Sequence, residues 1–181
     1  MIFHETTLKD AWLIELQPRG DDRGMFARTF CRDEFAAHGM ETNYVQQNMS
    51  VSAFKGTLRG MHFQRQPHAE VKVIRCVRGA ILDVIVDMRS DSPSYLKHEG
   101  FELNAQNRRQ LYVPRGFAHG FMTLSDDVEV TYLVSAPYTP TAEGGLRYDD
   151  PKLAISWPLD VTTISDKDAA WPFLTETPPA I

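Results

Sequence analysis

A chain of 181 residues is long enough for one domain with a real hydrophobic core, and 43% hydrophobic with 24% charged residues is an ordinary globular balance. The formal charge of −5, with no basic block, argues against a nucleic-acid partner. No apolar run approaches the roughly 20 residues of a membrane span, and the opening Met1-Ile2-Phe3-His4-Glu5 lacks a signal peptide's charged start.

Taken in chain order, Trp12, Ile14 and Leu16 alternate with Leu13 and Glu15, so residues 1 to 17 read as one or two edge strands. Pro18 to Gly24 is a polar turn, after which Met25 to Phe30 resumes a strand. Asp33 to Gly39, with an Asp start and a Gly stop, is the one persuasive short helix. Strand patterns then recur over Tyr44 to Ser50, Leu58 to Gln64, Val71 to Val77, Ala80 to Met88 and His98 to Leu103. Arg109 to Val113, Gly120 to Leu124 and Val128 to Val134 complete the series. Short strands at this spacing predict an all-β sandwich or barrel, one domain over residues 1–181, and not alternating βαβ units. The last 40 residues turn irregular, with Pro140, Pro151, Pro158, Pro172, Pro178 and Pro179. Cys31 and Cys76 lie far apart without framework spacing, so free thiols and a cytoplasmic setting are expected. Neither G-x-G-x-x-G nor G-x-x-x-x-G-K-[ST] occurs, so chemistry is expected to run on side chains or a metal.

The stretch Gly56 to Asp87 organises the chain around Thr57-Leu58-Arg59-Gly60-Met61-His62-Phe63-Gln64. Strand alternation puts Leu58, Gly60, His62 and Gln64 on one face, with Arg59 and Met61 on the other. His62 is then either a titratable group aimed into a cavity or a satisfied core histidine. Pro114-Arg115-Gly116-Phe117-Ala118-His119 looks like the second half-motif of a cupin barrel, and Gly56-x5-His62-x-Gln64, with Glu70 and Gly79, like the first. His62, Glu70 and His119 would be the facial metal set. Against it, Gln64 stands where a metal cupin has a second imidazole, and Lys72 shares a strand face with Glu70. Proton chemistry is the other option. It needs a base beside a carbonyl and a group to stabilise the enolate. His62 is the natural base, and Lys72 and His119 are candidates for the enolate or phosphate side. Tyr132, on one face with Val130 and Val134, is a candidate acid or a core tyrosine tied to the backbone. Asp168 alone reads as a solvated loop charge, and spacing does not bring it to His62.

Six motifs in register carry a resemblance: Asn48-x-Ser50, Gly56 to Gln64, Asp83 to Arg89, Pro114 to Phe121, Trp157-Pro158 and Ser165 to Asp168. In that order, from about Asp22 to Pro172, the chain resembles the dTDP-4-dehydrorhamnose 3,5-epimerase family. The resemblance implies a cupin-type double-stranded β-helix (a jelly roll), a homodimer, and neither metal nor organic cofactor. It implies that His62 abstracts protons from C3 and C5 of a 4-keto sugar, that Asp168 orients and charges it, and that Tyr132 returns a proton from the opposite face. Lys72 would stabilise the enolate. Arg23, Arg59, His119, Glu143 and Lys167 would hold the nucleotide diphosphate-sugar, Gln46, Gln47 and Asn48 would contact the base, and Phe26 and Tyr138 would flank it.

Two positions depart from the family pattern near the base site. Arg28 stands where a glutamate is common, and Gln47 where an aspartate is usual. A different nucleotide carrier, or epimerisation at one carbon only, therefore stays open. So do a metal-dependent cupin oxygenase or isomerase and a non-catalytic sugar-nucleotide binder, the last of which should lack the His62 and Tyr132 pair. Arg59 is expected to reach the site through a bulge at Gly60 or from another subunit.

Overall fold

The computed structural model describes residues 1–174 and 181, so Pro178 and Pro179 of the irregular tail lie outside the described residues. Two antiparallel sheets pack face to face as a jelly roll. The six-stranded sheet runs β1 (Ile2–Glu5), β2 (Trp12–Glu15), β10 (Gln110–Val113), β7 (Lys72–Arg78), β12 (Val128–Val134) and β5 (Gln46–Ser52). The five-stranded sheet runs β13 (Glu143–Gly145), β6 (Leu58–Gln64), β11 (Phe117–Thr123), β8 (Ala80–Asp87) and β9 (His98–Asn104). A separate hairpin pairs β3 (Arg19–Asp21) with β4 (Gly24–Phe26).

Alternation places every second side chain of both sheets in the shared interior. Ile74, Cys76, Ile81, Ile85, Leu111, Phe117, Phe121 and Val130 form that core. The outer face of the six-stranded sheet carries a second cluster, in which Phe35 of helix α1 (Arg32–Ala37) packs with Val73 and Tyr112. The returning C-terminal segment covers the outer face of the five-stranded sheet, where Leu146 and Leu153 meet Met61, Val84 and Val86. Burying these side chains stabilises the fold by about 25 cal/mol per Å² of apolar surface.

Several boundaries differ from the sequence reading, each for a tertiary reason. The strand expected over Met25 to Phe30 ends at Phe26. Phe30 instead packs edge-on against Phe35 and Tyr44, with centroids 4.9 and 5.4 Å away. The expected polar turn at Pro18 to Gly24 contains β3. β11 begins at Phe117 rather than Gly120, because β8 pairs with it over its full length. The expected irregular C-terminal stretch holds β13 and a short helix α2 (Asp166–Ala169). Glycine is a poor strand former, yet Gly144 and Gly145 lie in β13 because β6 offers an unpaired edge.

The register between β6 and β11 decides where Arg59 points. His119 stands opposite His62, but Phe121 stands opposite Arg59, so three steps on β6 match two on β11. The extra residue sits at Gly60, whose φ is +137° and whose Cβ, if present, would lie 2.5 Å from Gly120 Cα. Only glycine fits there. The bulge reverses the alternation expected of an unbroken strand and returns Arg59 to the side of His62.

Candidate active site

A cavity of about 620 Å³ opens between the sheets, lined by β5, β7 and β12 on one side and β6 and β11 on the other. His62, Tyr132, Asp168, Lys72, His119, Arg59, Glu143, Lys167, Tyr138, Gln46 and Asn48 all line it. These residues span 46 to 168 in the chain.

Asp168 comes to His62 across 106 positions, a contact that spacing could not reveal: His62 Nε2 lies 2.6 Å from Asp168 Oδ1. The carboxylate is not a solvated loop charge, since its side chain is only 5% exposed. Ser165 caps α2 by accepting from the Asp168 N–H at 3.1 Å, which fixes the aspartate at the start of the helix. Its second oxygen accepts from the Gly60 N–H at 3.1 Å, so the bulge also holds the dyad. Burial pushes the Asp168 carboxyl up, but His62, the Gly60 amide and Lys167 outweigh burial and keep it below the usual carboxylate range. A charged carboxylate thus stands behind the imidazole. Nε2 makes the ring's only hydrogen bond among the described residues, which leaves Nδ1 without a hydrogen-bond partner among them.

Tyr132 comes from β12, in the sheet facing His62. Among the described residues its hydroxyl has no protein hydrogen bond, unlike a core tyrosine tied to the backbone. Burial pushes the hydroxyl up, Glu70 adds to that, and the nearby Arg59 opposes it. The net shift is upward, so Tyr132 is protonated at neutral pH. Lys72 pairs with Glu70 at 3.1 Å, each side chain 13% exposed. Gln64 Nε2 lies 3.2 Å from Glu70 Oε2, and its Oε1 accepts from the Thr139 N–H at 2.6 Å. Gln64 therefore ties the Lys72 partner to the loop carrying Tyr138.

Toward the mouth, Arg59 is held by Ser52 Oγ and the Val51 carbonyl of β5. His119 Nε2 sits 3.0 Å from the fully buried Asp83 carboxylate. Glu143 accepts from Lys167 Nζ at 2.7 Å and from the Tyr138 hydroxyl at 3.0 Å. Burial raises the Glu143 carboxyl, and these two donors outweigh it. The metal set weighed from the sequence does not assemble: His62, Glu70 and His119 are each committed to a different partner, and no His, Cys, Asp or Glu triad of metal-holding geometry occurs among the described residues.

Four sequence candidates lie outside this cavity. Gln47 alternates to the far face of β5 from Gln46 and Asn48. Arg23 pairs with Asp21 in its own hairpin, and Phe26 is 74% exposed. Arg28 pairs with Glu34 at 2.9 Å and lines a second cavity beside Met1. Within one chain these four do not join the others. Sequence reasoning also passed over Asp83 and Ser165 as site residues. An aspartate inside the apolar run of β8 and the serine that opens the Ser-x-Lys-Asp run were the available signals.

A family profile described as dTDP-4-dehydrorhamnose 3,5-epimerase matches residues 5–176. The dTDP-4-dehydrorhamnose 3,5-epimerase of Sinorhizobium fredii is 44% identical, covering 98% of this chain and 92% of that protein. The crystal structure of the enzyme of that name from Bacillus anthracis, with TDP and PPi bound, superposes with a TM-score of 0.93 at 44% identity, covering 96% of this chain and 99% of that one. A Legionella pneumophila dTDP-6-deoxy-D-glucose-3,5-epimerase in complex with dTDP-4-keto-L-rhamnose gives 0.89 at 37% identity, covering 95% and 92%.

Proposed function

From the dTDP-4-dehydrorhamnose 3,5-epimerase family, to which this chain belongs, we infer that the protein epimerises a dTDP-linked 4-keto-6-deoxyhexose in rhamnose-type deoxysugar biosynthesis. The observation that carries the mechanism is the placing of a carboxylate-backed imidazole and a protonated tyrosine on opposite sheets of one cavity. The C4 ketone acidifies the hydrogens on C3 and C5. His62 removes each proton, and Asp168 stabilises the imidazolium that forms. Lys72 supplies positive charge to the enolate oxygen. Tyr132 then delivers a proton from the other side, which inverts the carbon. Removal and return of a proton leave the sugar's oxidation level unchanged, so the scheme calls for no redox cofactor.

Arg59 and Lys167 provide the charge for the diphosphate beside His119, with Glu143 orienting Lys167, and Gln46, Asn48 and Tyr138 meet the base. The whole reaction is assigned to one domain, residues 1–181, and to the cytoplasm, in keeping with two unbridged cysteines. A homodimer accounts for three of the four residues left outside the cavity, Gln47 excepted. β5 is a sheet edge with Met49 64% and Val51 54% exposed, and an apolar edge of this kind is a docking template. A second copy seated there brings its β3–β4 hairpin, with Arg23, Phe26 and Arg28, within reach of the nucleotide.

Proton NMR in D₂O, following exchange at C3 and C5 of dTDP-, CDP- and GDP-linked 4-keto sugars, tests this reading. His62→Ala should slow exchange by about 10²–10⁴-fold. Near-normal exchange in that variant would overturn the mechanism, and faster exchange on the CDP or GDP sugar would overturn the thymidine assignment.

A further inference from the structure

The ring of His62 needs support on the side away from the substrate, and the cross-strand register supplies it. Gly145 of β13 stands opposite His62 of β6. Having no side chain, Gly145 leaves a space that the indole of Trp171 fills: a Cβ on Gly145 would collide with Cε2, Cδ2 and Nε1 of that ring. The indole meets the imidazole edge-on, with centroids 6.3 Å apart and planes at 69°. That is a favourable aromatic geometry. Trp171 is not among the residues lining the cavity, so it packs on His62 from behind. Its buried Nε1 makes no hydrogen bond among the described residues, so shape rather than a polar contact holds it there. Trp171 also follows α2 directly, so the same turn of chain carries both the carboxylate and the ring that flank His62.

We propose that Trp171 is a positioning residue for proton transfer: with Gly145 making room, its indole fixes the His62 ring on Asp168 and keeps water from their hydrogen bond. This rests on the reading of His62 as the base. The 2.6 Å bond between imidazole and carboxylate is stronger where water is excluded. Proton transfer also falls steeply with displacement, about a hundredfold for 1 Å. The cavity lies on the other side of His62, so the effect falls on turnover and not on binding.

The test compares Trp171→Ala, Trp171→Phe and Gly145→Ala in the D₂O exchange assay, with rates expressed per dTDP-binding site counted by calorimetry. Trp171→Ala should lower kcat roughly 10–100-fold while dTDP affinity stays within about twofold. Trp171→Phe, which keeps an aromatic edge on the imidazole, should recover most of the rate. Gly145→Ala, which displaces the indole without altering it, should fall with Trp171→Ala. Wild-type exchange per site in Trp171→Ala, or in Gly145→Ala should the tryptophan variant not fold, overturns the proposal, as does a Phe variant no better than Ala. An inactive His62→Ala beside a fully active Trp171→Ala would sink this inference alone, whereas an active His62→Ala would sink the base assignment beneath it.

Discussion

Asp168→Asn isolates the charge behind the base while keeping the side chain's shape. Both carboxylate oxygens are in use, one 2.6 Å from His62 Nε2 and the other 3.1 Å from the Gly60 nitrogen. An amide offers one acceptor and one donor group, so one contact must fail. If the carbonyl keeps Gly60, the NH₂ faces Nε2 and forces the proton onto Nδ1, the nitrogen needed as the base. If the carbonyl keeps Nε2, two N–H donors collide at Gly60. Either way the imidazolium loses its counter-charge. Unit charges about 4 Å apart attract by ~4 kcal/mol at an effective dielectric of ~20. At 1.36 kcal/mol per decade that is roughly a thousandfold in the proton-abstraction rate. Deuterium wash-in at C3 and C5, followed by proton NMR with dTDP affinity as the control, measures it. Exchange within tenfold of wild type, with dTDP binding intact, would refute the dyad as the source of base strength.

Three further outcomes follow from the same geometry. Tyr132→Phe should still wash deuterium into the substrate yet form little inverted product, and equal loss of both would reassign Tyr132 to packing. Arg59→Lys loses the forked guanidinium that Ser52 and Val51 hold in place, so dTDP affinity measured by calorimetry should fall by about 1–2 kcal/mol, roughly 5–30-fold. Asp87→Asn should lower stability by about 3–5 kcal/mol, or roughly 6–20 °C in Tm, without changing activity per folded molecule. Burial pushes the Asp87 carboxyl up, but Arg89, Ser92 and Ser94 donate to it and hold it below the ordinary range. The stability it supplies is therefore present above the unfolded carboxylate value near 4 and lost as pH falls through the lower folded value. Melting curves against pH should show that acid limb flattened in the variant.

Local chemistry in the sequence determined most of the strands. The β-branched runs of β7, β8 and β12 have no other good conformation, and their two-residue period fixed which side chains turn inward. Tyr132 was placed on the correct face by that period alone, beside Val130 and Val134. Helix α1 was legible from its acidic start and glycine stop. What the sequence did not determine on its own was anything depending on how distant segments register. The His62 and Asp168 pair exists because α2, the last element in chain order, packs back on β6, and no local pattern encodes a contact over 106 positions. Arg59 reached the cavity through one extra residue at Gly60, permitted by the absence of side chains on both Gly60 and Gly120 where the two backbones meet. β13 formed at glycines that favour turns, because an open strand edge offered hydrogen bonds stronger than their preference. A residue's type sets what chemistry it can do, but in this protein the pairing of strands, settled only on folding, sets which partner it does that chemistry with.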